Sequence, residues 1–192
     1  MLPITARFQE AMAYAAELHA NQARKGTEIP YLSHLLAVAS LAMEYGADED
    51  EAIAALLHDA VEDQGGAPTC EAIRERFGER VVEIVIACSD TDETPKPPWR
   101  KRKEDHLAHL RQADNSILLI SACDKLHNIR SIVSDYRILG DDLFNRFNAG
   151  KEGTLWYYRA LANVFLELGP SRPAEELDRV VSTLEKMTGE RN

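Results

Sequence analysis

Residues 52–63 read AIAALLHDAVED, an apolar stretch that turns abruptly ionisable at His58. At about 100° of rotation per residue, a single helix through this stretch gathers His58, Asp59, Glu62 and Asp63 within an arc of roughly 140°. Ile53, Leu56, Leu57, Ala60 and Val61 fill the opposite side, so the spacing predicts one helix with a core face and a chemical face. Three carboxylates and an imidazole at one helix end repel one another and resist burial unless a cation or strong donors compensate them. A divalent metal meets that demand. One His-Asp pair is more often a solvated helix end with an ordinary surface histidine, so the rest of the constellation must come from elsewhere in the chain.

Upstream, Phe8, Met12, Ala15 and Leu18 form one stripe of a helix from Thr5 to about Asn21, with His19 as a surface residue near its end. Gly26 and Pro30 interrupt the pattern between Gln22 and Tyr31, a loop that carries Arg24 and Lys25. A second helix runs from about Tyr31 to Tyr45, with His34 near its start and Gly46 as terminator. Asp48 reads as the N-cap of the next helix, because Glu51 follows three residues on.

Downstream, Thr69 reads as the cap of a short helix to Phe77, and VVEIVIAC, within residues 79–89, reads as helix because no partner strand accompanies it. SDTDETPKPPW, residues 89–99, contains three prolines and reads as loop. The cation run Arg100 to Lys103 follows, then His106 and His109, read as surface histidines. From Asn115 or Ser116 a long helix carries Asp124, Asn128 and Ser131 on one face of an otherwise core-like segment. A buried polar stripe of that kind calls for a ligand. An aromatic-rich helix containing TLWYYRALANVFLEL and a last helix from about Pro173 to Thr188 complete an all-α chain, read as one domain over 1–192.

Length and charge narrow the function classes. The chain has 192 residues and a formal charge of −10, from 22 Lys plus Arg against 32 Asp plus Glu. Such a surface repels nucleic acid and anionic membranes, so neither is expected as a partner. Cys70, Cys88 and Cys123 are odd in number and widely spaced, which favours thiols in a cytoplasmic protein. No apolar run reaches membrane-spanning length, and the first residues lack the order of a signal peptide.

In chain order the candidate ligands are His34, His58-Asp59 and Asp124, a mixed nitrogen and oxygen set suited to Mn, Zn or Fe. The order H, HD, D resembles that of the HD-domain metal-dependent phosphohydrolases. RKGTEIPYLSHLLAVA, AALLHDAVED and ACDKLHNIRSI are similar to successive motifs of the small alarmone hydrolases, stand-alone relatives of the hydrolase half of Rel/SpoT proteins. The resemblance implies a compact bundle of about ten helices. It also implies Mn2+ at His34, His58, Asp59 and Asp124, with another divalent transition metal as the substitute. The implied reaction removes the 3′-pyrophosphate from guanosine 3′,5′-bis(diphosphate) and its pentaphosphate form, giving GDP or GTP, by metal-activated water. Glu62 and Asp63 then carry catalysis. Arg24 stacks on the purine, Lys25 holds phosphate, Asn128 and Ser131 contact ribose and phosphate, and Lys96, Arg100, Lys101 and Lys103 share the far pyrophosphate.

Tyr157 and Tyr158 read better as core than as nucleotide-facing aromatics. Leu35 stands where the family often has proline, and Cys123 where a small apolar residue is usual. The chain has no room for a synthetase domain, so it is expected to degrade an alarmone and not to make one. A small-molecule nucleotide is the expected partner, and a homo-oligomer is compatible with the sequence. Two alternatives stay open: an HD-domain phosphatase acting on NADPH or deoxynucleoside monophosphates, and a non-catalytic nucleotide sensor.

Overall fold

The computed structural model describes residues 5–89 and 97–189, and among these the chain is helical without a β-sheet. The helices are α1 (Ala6–Leu18), α2 (Leu32–Glu44), α3 (Glu49–Leu57), α4 (Ala60–Asp63), α5 (Ala67–Phe77), α6 (Glu79–Cys88), α7 (Trp99–Leu110), α8 (Asn115–Leu139), α9 (Gly150–Glu167) and α10 (Arg172–Thr188). A 3-10 segment, Gly140–Arg146, joins α8 to the loop before α9. The chain divides into two compact units. The first holds α1 to α6 and the opening turns of α8 through Cys123; the second holds α7, the remainder of α8 from Asp124, the 3-10 segment, α9 and α10.

The first unit is built around α3. Every residue from Ala52 to Leu57 is buried, because α1, α2 and α6 all pack against this helix. Ala52, Ala54 and Ala55 let neighbouring helices approach closely, while Ile53, Leu56 and Leu57 fill the spaces between them. A helix apolar on all sides is a core helix. The expected division into a core face and a chemical face is therefore corrected. Residues 52–63 are not one helix: α3 stops at Leu57, His58 and Asp59 form a turn, and α4 resumes for four residues. The polar groups lie at this break, beyond the end of α3.

Polar bonds fix the outer end of α3. Asp48 caps it, accepting from the Glu51 backbone N–H at 3.0 Å, while the Glu51 side chain accepts from the Asp48 N–H at 2.7 Å. Arg80 of α6 donates to Asp48 at 2.6 Å, Arg7 of α1 to Asp50 at 2.6 Å, and Ser116 to Glu51 at 2.7 Å. Thr69, expected from sequence to cap the next helix, is not its cap. It lies inside α5, which begins at Ala67, and its hydroxyl donates to the Gln64 carbonyl.

The second unit packs α9 against α7, the 3-10 segment and α10. Arg159 of α9 is the polar clasp between α9 and α10, donating to Glu185, Asp178 and Ser182. Helix α7 begins at Trp99, whose ring meets Trp156 and Tyr157 at centroid distances of 6.1 and 6.0 Å. His106 is buried on this helix and corrects the surface reading, whereas His109 is exposed. Tyr157 and Tyr158 are buried, as the core reading held.

The Asp48 cap gives a stability test. Partial burial acts upward on its carboxyl, but the Glu51 N–H and Arg80 outweigh it and hold the pKa below the ordinary value. Its contribution is complete above the unfolded carboxylate value and disappears as pH falls through the lowered folded one. Asp48→Ala should cost about 1 kcal/mol at neutral pH in thermal or denaturant unfolding. The difference from the parent should vanish in strong acid.

Candidate metal centre

His34 projects from the first turn of α2 and His58 from the break after α3, and both rings are buried. Their centroids lie 5.3 Å apart, edge to face. Asp59 completes the group, with one ligand atom from each of the three residues lying within 4.8 Å of the others. Its Oδ2 is 3.0 Å from His58 Nε2 and 3.8 Å from His34 Nε2.

Local structure decides which nitrogen of His58 faces the group. With α3 ending at Leu57, the Ala55 carbonyl meets His58 Nδ1 at 2.9 Å, so the neutral ring carries its hydrogen there. The lone pair then belongs to Nε2, the atom beside Asp59 Oδ2. A carboxylate oxygen and an imidazole lone pair at 3.0 Å repel unless a positive charge lies between them. Two nitrogens and one oxygen in a buried setting fit a borderline divalent transition ion.

Around this group the structure adds residues that the sequence reading missed. The Tyr31 hydroxyl donates to Asp59 Oδ2, and the Tyr31 ring stands edge-on to His34 at 5.4 Å. His19, a surface residue by its place at a helix end, is instead 2% exposed, stacked on Tyr31 at 5.4 Å. Gln22 donates to Asp63 Oδ2 at 2.7 Å. The usable signal was spacing: Tyr31 stands three residues before His34, and Gln22 three after His19.

Glu62 and Asp63 form the last turn of α4, next to the break. Desolvation, then the charges of Asp59 and Glu62, holds the Asp63 carboxyl above the usual carboxylate value, against the Gln22 hydrogen bond and His19. Arg24 and Lys25 sit on a tight excursion closed by the Ala23–Pro30 bridge and by Arg24 N–H to the Ile29 carbonyl at 2.8 Å. Gly26 takes a positive φ of 72° at its tip, a conformation that a side chain would strain. The Arg24 guanidinium carbon is 5.9 Å from the Tyr31 ring centroid, and Lys25 is exposed.

Asp124, Asn128, Ser131, Arg100, Lys101 and Lys103 belong to the second unit. Asp124 is buried on α8, where Lys125 donates to Oδ2 at 2.6 Å and Asn128 to Oδ1 at 2.5 Å. Burial acts to lower the Lys125 pKa, but the Asp124 charge prevails and holds it well above the ordinary value. Ser131 donates to the His127 carbonyl within its own helix. The cation run is dispersed: Arg100 pairs with Glu104 and lies 3.2 Å over the Trp156 ring, Lys101 pairs with Asp105, and Lys103 lies 5.1 Å from the Tyr157 centroid. Lys96 lies outside the described residues. Leu35 and Cys123 are fully buried, so both act as core.

The profile of the HD-domain family matches residues 11–155. A Xenopus tropicalis protein described as guanosine-3′,5′-bis(diphosphate) 3′-pyrophosphohydrolase MESH1 is 38% identical over 126 residues, covering 64% of this chain and 68% of that relative. An Aquifex aeolicus guanosine-3′,5′-bis(diphosphate) 3′-pyrophosphohydrolase is 36% identical over 124 residues, but the chain spans only 17% of its length. The bifunctional (p)ppGpp synthase/hydrolase SpoT of Escherichia coli is 33% identical over 134 residues, 18% of its length. Among solved structures, one described as a metazoan ortholog of SpoT aligns with a TM-score of 0.77 over 96% of this chain and 98% of its own, at 23% identity, a likeness of fold. A Listeria monocytogenes EGD-e structure aligns with a TM-score of 0.70 and 28% identity over 80% of this chain.

Because Tyr31 holds the oxygen of Asp59 that faces both histidines, Tyr31→Phe should weaken divalent-metal affinity about 10-fold or more. Titration of the metal-stripped protein with Mn2+ or Zn2+ by calorimetry checks this, with circular dichroism unchanged.

Proposed function

The chain belongs to the HD-domain family, and on that premise we propose that it is a Mn-dependent guanosine-3′,5′-bis(diphosphate) 3′-pyrophosphohydrolase, cleaving the 3′-pyrophosphate to leave GDP or GTP. The observation that carries the reading is the convergence of the buried His34 and His58 with the half-buried Asp59 immediately before the Glu62-Asp63 pair. Identity of 38% to a relative bearing that activity in its description supports the substrate. A family match running from α1 into α9 supports reading 1–192 as one HD domain. The three cysteines stand as thiols, which fits a cytoplasmic setting, and no described helix is long and apolar enough to cross a membrane.

His34, His58 and Asp59 would hold the metal, and Asp124 joins them on the strength of the resemblance. A bound divalent cation would supply Lewis acidity toward water and toward the phosphorus group under attack. The chain supplies the rest. Glu62 and Asp63, one turn past the ligands, hold the water and take its proton. Arg24 offers a flat guanidinium to the purine face, and Lys25 a compact charge to phosphate. Asn128, Ser131 and Lys101 are assigned to ribose and phosphate oxygens.

The deciding assay incubates Mn-loaded protein with guanosine 3′,5′-bis(diphosphate), NADPH and deoxynucleoside monophosphates, measuring phosphate and pyrophosphate separately. Pyrophosphate from the bis(diphosphate) alone is expected, and chelation should abolish it. Phosphate from NADPH or a monophosphate would instead favour the phosphatase alternative, and tight binding without turnover the sensor.

Variants separate the roles. His58→Ala and Asp124→Ala should lose metal and turnover together. Glu62→Gln should keep the metal while kcat falls roughly 10²- to 10⁴-fold. Arg24→Ala should act on KM, raising it about 10-fold.

A further inference from the structure

His19 ends α1 in an unusual setting for an imidazole. It is 2% exposed, its ring lies against Tyr31, and its Nε2 is buried with no hydrogen-bond partner among the described residues. A buried polar nitrogen left that way gives up its hydration with nothing in exchange, so packing alone would favour an apolar ring here. The other nitrogen explains why an imidazole stands there. His19 Nδ1 lies 2.6 Å from Gln22 Oε1, and the same amide oxygen receives the Gln64 side-chain amide at 2.5 Å. The Gln22 amide nitrogen points the other way and donates to Asp63 Oδ2 at 2.7 Å.

The chain of bonds has a direction. A carboxylate only accepts, so Asp63 sets the nitrogen of Gln22 toward itself and the oxygen toward His19 and Gln64. His19 must then carry its hydrogen on Nδ1. With the hydrogen on Nε2 instead, Nδ1 would be an acceptor facing an acceptor. The amide would turn over, and its oxygen would face Asp63, tolerable only if that carboxyl were protonated and unable to take another proton.

We propose that His19 is a positioning residue, whose Nδ1 hydrogen fixes the Gln22 amide so that Asp63 is held as an acceptor through Oδ2. Oδ1 is thereby left for the proton of the reacting water. The role rests on the reading of Asp63 as a catalytic carboxylate. His19 itself touches neither substrate nor metal.

Asparagine and glutamine divide the two ring nitrogens between them: Asn places its amide nitrogen near the Nδ1 position, Gln near Nε2. In Mn-loaded protein acting on guanosine 3′,5′-bis(diphosphate), His19→Gln should lower kcat about 10-fold or more at unchanged KM and metal content, and His19→Asn should recover it to within about 3-fold. Gln22→Met removes the amide at similar volume and should match His19→Gln. The double variant should be no worse than either, because both break one chain of bonds. Nitrogen NMR of the metal-free protein should show His19 protonated at Nδ1, and that signal should change in Gln22→Met.

Equal loss in His19→Asn and His19→Gln, additive loss in the double variant, or a His19 hydrogen on Nε2 would each overturn the proposal. Asp63→Asn separates the two readings. If it abolishes turnover while the His19 variants do not divide as stated, the His19 role alone falls. If Asp63→Asn leaves kcat within about 3-fold of the parent, the catalytic reading of Asp63 falls and takes the His19 role with it.

Discussion

Asp59 Oδ2 is the atom on which the first unit's chemistry depends. It faces His58 Nε2 at 3.0 Å and His34 Nε2 at 3.8 Å, and it accepts the Tyr31 hydroxyl. The hydroxyl can satisfy one lone pair of the oxygen but does nothing for the repulsion between that oxygen and the His58 Nε2 lone pair. A cation must. Both ring nitrogens and the carboxylate arrive from short, well-anchored pieces of backbone, so the donors are arranged before any ion enters. Pre-arrangement of that kind leaves little ordering cost at the moment of binding.

The anchoring traces back to α3. Because Ala52 to Leu57 are buried on every side, the helix cannot slide or rotate to relieve charge at its end. Its outer end is held by the Asp48 capping box and by Arg80. Beyond the break, last-turn carbonyls lose their helical partners, and the one on Ala55 is taken by His58 Nδ1. The end of the helix thus selects the tautomer of the ligand. Those carbonyls also carry the negative end of the helix dipole, which adds to the attraction for a cation there.

Much of this was legible in the sequence. Apolar spacing gave the helices and their order, the Asp48/Glu51 pair gave a true cap, and the separation of His34 from His58-Asp59 gave the three residues that converge. The break itself was not legible, since His58, Asp59 and Ala60 all tolerate helical dihedrals, and His58 and Asp59 indeed lie in the right-handed region while the turn forms. His19 and His106 were misread for a shared reason. His19 stands at the end of α1 and His106 among charged residues, and burial of a single imidazole depends on packing from other segments, which periodicity along one helix does not report. Asp124 was flagged because a buried carboxylate needs compensation, and Lys125 and Asn128 supply part of it from the same helix.

The same limit explains why Gln22 and Tyr31 escaped notice. Neither residue type announces a metal or catalytic role, and both stand in a stretch that composition marks only as a loop. Their importance comes from closure of that loop: the Tyr31 N–H bonds to the Gln22 carbonyl at 2.9 Å, bringing the two ends together. From one end the Tyr31 hydroxyl reaches Asp59, and from the other the Gln22 amide reaches Asp63. A single backbone bond therefore ties the positions of a metal-facing carboxylate and a neighbouring carboxylate to one loop base. The loop that carries Arg24 and Lys25 is also the brace for the acidic side of the site, so its sequence answers to both demands.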